Sequence, residues 1–147
     1  MAYFLKMSPA QSWIGQLRLR FDPKALLVAP HVTLVFPTDK ISEGVLRAEV
    51  AKSLLGFQGF RMDFDELRIV AEGDNELVSI FLLVGLGREA VVGLHTNLYS
   101  GVLCGELRKE IPYVPHVTLG TGMRRGVAES VVGTYCVGKR FLLFVFS

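Results

Sequence analysis

The chain is predicted to fold as one mixed α and β domain made of two structural halves, and three observations predict it. The pentapeptide Pro30-His31-Val32-Thr33-Leu34 recurs as Pro115-His116-Val117-Thr118-Leu119, about half a chain later. Short runs with strand periodicity alternate with runs of helical periodicity in both halves, with no low-complexity segment or linker between them. Finally, 147 residues are the length of one domain with a sizeable core of its own.

In chain order, Tyr3 to Met7 reads as a first strand. Ser8-Pro9 then opens a helix, with Ser8 as N-cap, Pro9 in the first turn, and Trp13, Leu17 and Phe21 at near-helical spacing on its inner face. Asp22-Pro23 ends it. Leu26 to Pro37 carries the first motif on an extended run. Ser42 begins a second helix with Val45, Leu46, Val50 and Leu54 as its apolar positions, and Gly56 marks its end. Phe60 to Val70 and Leu77 to Val84 form a hairpin around Glu72-Gly73-Asp74-Asn75 that gives the sheet its middle. Arg88 to about Leu103 is a helix with Val91, Val92, Leu94, Leu98 and Val102 as its apolar stripe, bordered by His95 and Asn97. Tyr113 to Leu119 carries the second motif as a strand. Gly126 to Tyr135 is a weaker helix, and Phe141 to Phe146 a final apolar strand. Gly105 to Ile111 and Gly120 to Gly126 carry no clear pattern.

Composition excludes several classes of function. Sixteen basic against 14 acidic residues leave a net charge of +2, too weak a field for a long nucleic-acid track or an acidic membrane surface. An anionic ligand is therefore small or locally held. Half the residues are hydrophobic and mean hydropathy is +0.39. Even so, the longest apolar run, Leu77 to Leu86, is roughly half the ~20 residues of a membrane-spanning helix. The start of the chain has no basic stretch ahead of an apolar one, so no secretory signal is expected and the location is predicted to be cytoplasmic. In that setting Cys104 and Cys136 are expected to be reduced, small core residues.

On a strand, successive side chains point to opposite faces. His31 and Thr33 therefore share one face, about 6.6 Å apart along the chain, while Val32 and Leu34 anchor the other. His116 and Thr118 are arranged in the same way. Two such strands facing each other frame a cleft with an imidazole and a hydroxyl on each side. Cleavage of a phosphodiester needs that set: a proton leaves the attacking oxygen and another reaches the departing one, on opposite sides of an in-line displacement. Imidazole serves either role near neutral pH. Hydroxyls hydrogen-bond the non-bridging oxygens, and an imidazolium adds charge stabilisation.

At these residues the sequence resembles the 2H phosphoesterase superfamily, also called the 2′,5′ RNA ligase-like or cyclic phosphodiesterase-like family. Its signature of two His-x-Thr/Ser-x motifs is matched by His31-Val32-Thr33-Leu34 and His116-Val117-Thr118-Leu119. The extended Pro30 to Pro37 string, the strand and helix before it, the helix around Leu94-His95 and the Tyr113-Val114-Pro115 lead-in are similar as well. The resemblance implies an α+β fold, bilobal and pseudo-two-fold, in which two antiparallel β-sheets with outer helices flank a central groove. It also implies metal-independent chemistry on cyclic phosphates or phosphodiesters, with no cofactor. The family spans RNA 2′,3′-cyclic phosphodiesterases, 2′-5′ ligases, ADP-ribose cyclic phosphate hydrolases, a trimming exonuclease of small nuclear RNA and viral nucleases, so it constrains the reaction more than the substrate.

The resemblance makes His116 the base that activates water and His31 the acid that protonates the leaving ribose oxygen, with the reverse pairing open. Thr33 and Thr118 would bind the phosphate. Several RNA-handling members carry an arginine shortly after the second motif, where this chain reads Gly120-Thr121-Gly122. Arg124 and Arg125 are the candidate groove contacts nearby. The expected partner is a small nucleotide or an RNA terminus with a cyclic phosphate or 2′-5′ linkage, without membrane or obligate protein partner. Three other interpretations stay open. The groove could bind a nucleotide without turnover, the protein could be a 2′-5′ ligase or exonuclease, or His31, His95 and His116 could bind zinc. The zinc set has no local ligand pair or carboxylate cluster in its support. His95, at the edge of an apolar stripe, fits a structural role better. Arg61, Arg68, Lys139 and Arg140 fit a solvated surface.

Overall fold

The structure, a computed structural model, describes residues 3–6, 12–73, 76–135 and 141–145, the backbone alone at 3–6, 12 and 141–145. It is an α+β fold. The elements follow in the order β1 (Tyr3–Lys6), α1 (Ser12–Phe21), β2 (His31–Val35), α2 (Glu43–Leu54), β3 (Arg61–Ala71), β4 (Leu77–Val84), α3 (Arg88–Leu98), a 3-10 turn (Cys104–Glu106), β5 (His116–Arg124), α4 (Arg125–Tyr135) and β6 (Phe141–Val145). β1 pairs antiparallel with β2. The other strands form a sheet in the order β5-β4-β3-β6, antiparallel throughout.

The β3–β4 hairpin occupies the middle of this sheet, with Ala71 opposite Val78 and Glu72 N–H bonded to the Leu77 carbonyl. β4 is almost continuously buried, Leu82 and Leu83 included, because it has a strand on each side and cover on both faces. Leu67, Ile80, Leu82, Val117 and Leu119 make one face of the sheet apolar, and α1 and α4 cover it through Ile14, Leu17 and Ala128. Trp13 and Tyr135 stack at 5.4 Å and tie α1 to α4. The opposite face looks toward β2 and carries the polar members of the second motif. Among the described residues, no helix is long and apolar enough to cross a membrane.

Several expectations are corrected. The first-motif strand begins at His31, not Leu26. Ahead of it, residues 23–27 form a turn, held by the Asp22 carboxylate on Lys24 N–H at 2.9 Å, which leaves Leu26 and Leu27 exposed. The second-motif strand likewise starts at its histidine and runs on to Arg124. α4 begins directly at Arg125, so the unassigned segment after Leu119 is mostly strand. α3 ends at Leu98; Val102 lies beyond it and is exposed. Val45 and Leu54 of α2 are exposed too, and the helix packs through Leu46, Glu49 and Val50 instead. Cys104 is exposed rather than in the core. The Ser8-Pro9 cap and Cys136 lie outside the described residues.

Candidate active site

Both motifs show the alternation expected of strands. His31 and Thr33 are part-exposed while Val32 and Leu34 are buried; His116 and Thr118 are part-exposed while Val117 and Leu119 are buried. The valines are at most 1% exposed, so each strand is clamped from its apolar side. β2 and β5 lie against one another although no ladder joins them. As a result His31, Thr33, His116 and Thr118 line a single cavity of about 430 Å³.

The two imidazoles are held in the same way. Nδ1 of His31 lies 2.8 Å from the Ala29 carbonyl oxygen, and Nδ1 of His116 lies 2.7 Å from that of Val114. Each carbonyl belongs to the residue before the motif's proline. A carbonyl only accepts, so Nδ1 carries the proton in each neutral ring and Nε2 is the basic nitrogen. The imidazoles differ in electrostatics. Burial pushes the His116 pKa below its ordinary value; the Val114 carbonyl acts in the other direction, and the neighbouring His31 ring adds a smaller lowering. The Phe81 ring stacks on His116 with centroids 3.7 Å apart and supplies part of that burial.

Strand β2 is pegged from the second half of the chain. The Tyr113 hydroxyl donates to the Thr33 carbonyl at 2.8 Å, His95 Nδ1 donates to the Leu34 carbonyl at 2.8 Å, and the Phe36 N–H donates to the Tyr99 hydroxyl at 3.1 Å. His95 is 4% exposed and stacked on Tyr113 at 3.6 Å. Burial lowers its pKa, so it serves as a neutral structural peg. Among the described residues, no group of three or more His, Cys, Asp or Glu side chains comes together as a metal site.

The cavity also contains residues that the sequence did not single out. Arg18 and Asp22, an i,i+4 pair at the end of α1, form a buried ion pair at 2.8 Å on its wall, beside Lys24 and Thr121. Their spacing on a helix just ahead of the first motif was the available signal. Arg124 lines a neighbouring depression with Arg20 and Thr121 rather than this cavity, and Arg125 lines neither. Arg68 is exposed, as expected, and also lines a second cavity next to the motifs.

Comparison with known proteins covers almost the whole chain. Residues 7–142 match the model of the 2′-5′ RNA ligase superfamily. Two bacterial proteins carrying the name "Putative phosphoesterase" are similar along most of their length. The one from Bacillus licheniformis is 30% identical over 91% of this chain and 79% of its own. The one from Geobacillus thermodenitrificans is 27% identical over 82% and 69%.

Proposed function

The chain belongs to the 2′-5′ RNA ligase superfamily, and from that premise we propose that it is a metal-independent phosphodiesterase opening a 2′,3′-cyclic phosphate or a related nucleotide or RNA-end diester to a monoester. One observation carries the proposal: two His-x-Thr strands line one cavity, each imidazole oriented through Nδ1 by a backbone carbonyl. The bilobal, pseudo-two-fold arrangement belongs to the same proposal, supported by the matching burial patterns and Nδ1 partners of the two motifs.

In the proposed reaction His116 Nε2 takes a proton from water as the water oxygen bonds to phosphorus. The bond from phosphorus to the ribose oxygen breaks, and His31, entering as imidazolium, delivers its Nε2 proton to that oxygen. One water is consumed and one monoester forms. The lowered pKa of His116 supports its assignment as base, because a neutral ring is what a base must present. Thr33 and Thr118 hydrogen-bond the non-bridging oxygens as charge develops on them.

The test is a panel of 2′,3′-cyclic nucleotides and 2′-5′ and 3′-5′ dinucleotides, with products read by mass spectrometry in the presence of chelator. His31→Ala and His116→Ala should each lose about 10²–10⁴-fold in rate with folding retained. Full activity in either variant would remove the mechanism. Binding without product would make the protein a nucleotide-binding module, and product from oligomers alone would make it an RNA-processing enzyme.

A further inference from the structure

The lead-ins to the two motifs are built differently. Ahead of His116, the Val84 N–H of β4 donates to the Pro115 carbonyl at 3.1 Å, so the sheet itself holds the second lead-in. Among the described residues, no strand pairs with the chain ahead of His31. Residues 23–27 make a turn there instead, with Leu26 and Leu27 86% and 81% exposed. Apolar burial therefore contributes little to its shape.

The hydrogen bonds that hold this turn run through Asp22 and Lys24. Asp22 Oδ1 accepts from the Lys24 N–H at 2.9 Å. The Asp22 carbonyl accepts from the Ala25 N–H, and the Lys24 carbonyl from the N–H groups of Leu27 and Val28, all at 3.0 Å. The series ends at Val28, and the next carbonyl, that of Ala29, lies 2.8 Å from Nδ1 of His31. Asp22 is itself fixed from two sides. Its Oδ2 accepts from Nε and Nη2 of Arg18 at 2.9 and 2.8 Å. Gly120, just past the second motif, lets the end of α1 settle on β5, since a Cβ at that position would lie 2.8 Å from the Cβ of Phe21.

We infer that Asp22 is a positioning residue for His31. Its carboxylate, held by Arg18, fixes the turn that aims the Ala29 carbonyl at Nδ1, which keeps Nε2 as the basic nitrogen. Position 29 supplies an oxygen whatever its side chain; Asp22 decides where that oxygen points. The control is one-sided, because the Val114 carbonyl that orients His116 belongs to the lead-in held by β4. The acid and the base of the proposed reaction are thus oriented by independent means, one through a buried charge pair and the other through the sheet. The consequence for rate rests on the proposed function, whereas the consequence for the His31 ring does not.

Two double variants of the whole protein test it. Arg18→Met with Asp22→Leu removes both charges and the acceptor for the Lys24 N–H. Arg18→Met with Asp22→Asn removes the charges but keeps an oxygen that accepts. Apolar replacement of a buried ion pair at similar volume is commonly tolerated. Nitrogen-15 NMR of the imidazoles at about pH 9, where a histidine ring is neutral, reads the tautomers. Both rings of the wild type should carry the Nδ1 proton. With Asp22→Leu, His31 should shift to a mixture of tautomers while His116 stays as it was, and the rate on a 2′,3′-cyclic nucleotide should fall about 10- to 10²-fold. With Asp22→Asn, the wild-type tautomer and most of the rate should return. An unshifted His31 in the leucine variant would overturn the inference, as would equal shifts in both variants or a His116 that moves with His31. If the leucine variant does not fold, hydrogen exchange in the wild type decides. The Lys24 N–H should exchange about tenfold or more slowly than an unbonded amide, and fast exchange would overturn the turn's dependence on Asp22. Absence of hydrolysis by the wild type, with the His31 shift as expected, would remove the diesterase proposal alone. An unshifted His31 in an active enzyme would remove the positioning role alone.

Discussion

Tyr113→Phe removes one oxygen and leaves the ring in place. That oxygen donates at 2.8 Å to the carbonyl of Thr33, one of the proposed phosphate-binding residues, while the ring remains stacked on His95. No cavity of consequence opens, so the loss is that of the hydrogen bond. A part-buried carbonyl left without its partner costs about 1–3 kcal/mol. For a domain of this size each kcal/mol lowers the melting temperature by roughly 2–4 °C, so a fall of roughly 2–12 °C is expected. The Thr33 hydroxyl and carbonyl stem from one residue, so slack at the carbonyl shifts the hydroxyl. A misplacement approaching 1 Å would reduce kcat by up to ~10²-fold. Thermal melts and steady-state kinetics on a cyclic nucleotide measure the two effects. Tyr99→Phe, which loses only an acceptor for the Phe36 N–H beyond the motif, should lower stability with a smaller effect on kcat. If Tyr113→Phe melted and turned over like the wild type, the pegging of β2 from the second half would be refuted.

Three further outcomes are expected. Burial lowers the pKa of both His95 and His116 in the folded protein, so near and below about pH 6.5 the unfolded chain binds more protons than the folded one. Stability should thus be full above that pH and fall as pH drops through the folded-state values. Urea denaturation across this range measures it, and His95→Asn should flatten the dependence. Arg18→Ala strands the Asp22 carboxylate, whose side chain is 6% exposed, and should cost about 3–5 kcal/mol in the same denaturation assay. Replacing Asp22 by Leu as well should recover part of the loss. Gly87, at the start of α3, has φ 82°, and an added Cβ would sit 2.5 Å from the Arg61 carbonyl oxygen. Gly87→Ala should therefore destabilise by about 1–3 kcal/mol. Gly93→Ala, within the same helix and with open space around it, should stabilise by about 0.5–1 kcal/mol.

The sequence was legible where a residue's role follows from its position along a strand or helix. Strand alternation predicted the pairing of His31 with Thr33 and of His116 with Thr118 and the burial of their neighbours, and the apolar run of β4 marked a strand covered on both faces. Illegible were contacts set by tertiary approach. Nothing in Tyr113 announces a bond to a carbonyl 80 residues away, and Arg68 looks like any surface arginine until register places it across from Phe81. Helix boundaries are hard to see in a sequence where apolar residues continue past the real end. Val102 extends the stripe of α3 in spacing but not in space.

The carbonyls of Ala29 and Val114 that orient the two imidazoles are backbone groups, and this has an evolutionary consequence. Where a carboxylate side chain orients a histidine, one substitution deletes the support. Here every amino acid at position 29 or 114 supplies the same oxygen, provided the following proline keeps the turn. The partner that orients each imidazole is thus insulated from side-chain mutation. The two copies show as much, with alanine in one and valine in the other and the carbonyl contact to Nδ1 alike, at 2.8 and 2.7 Å.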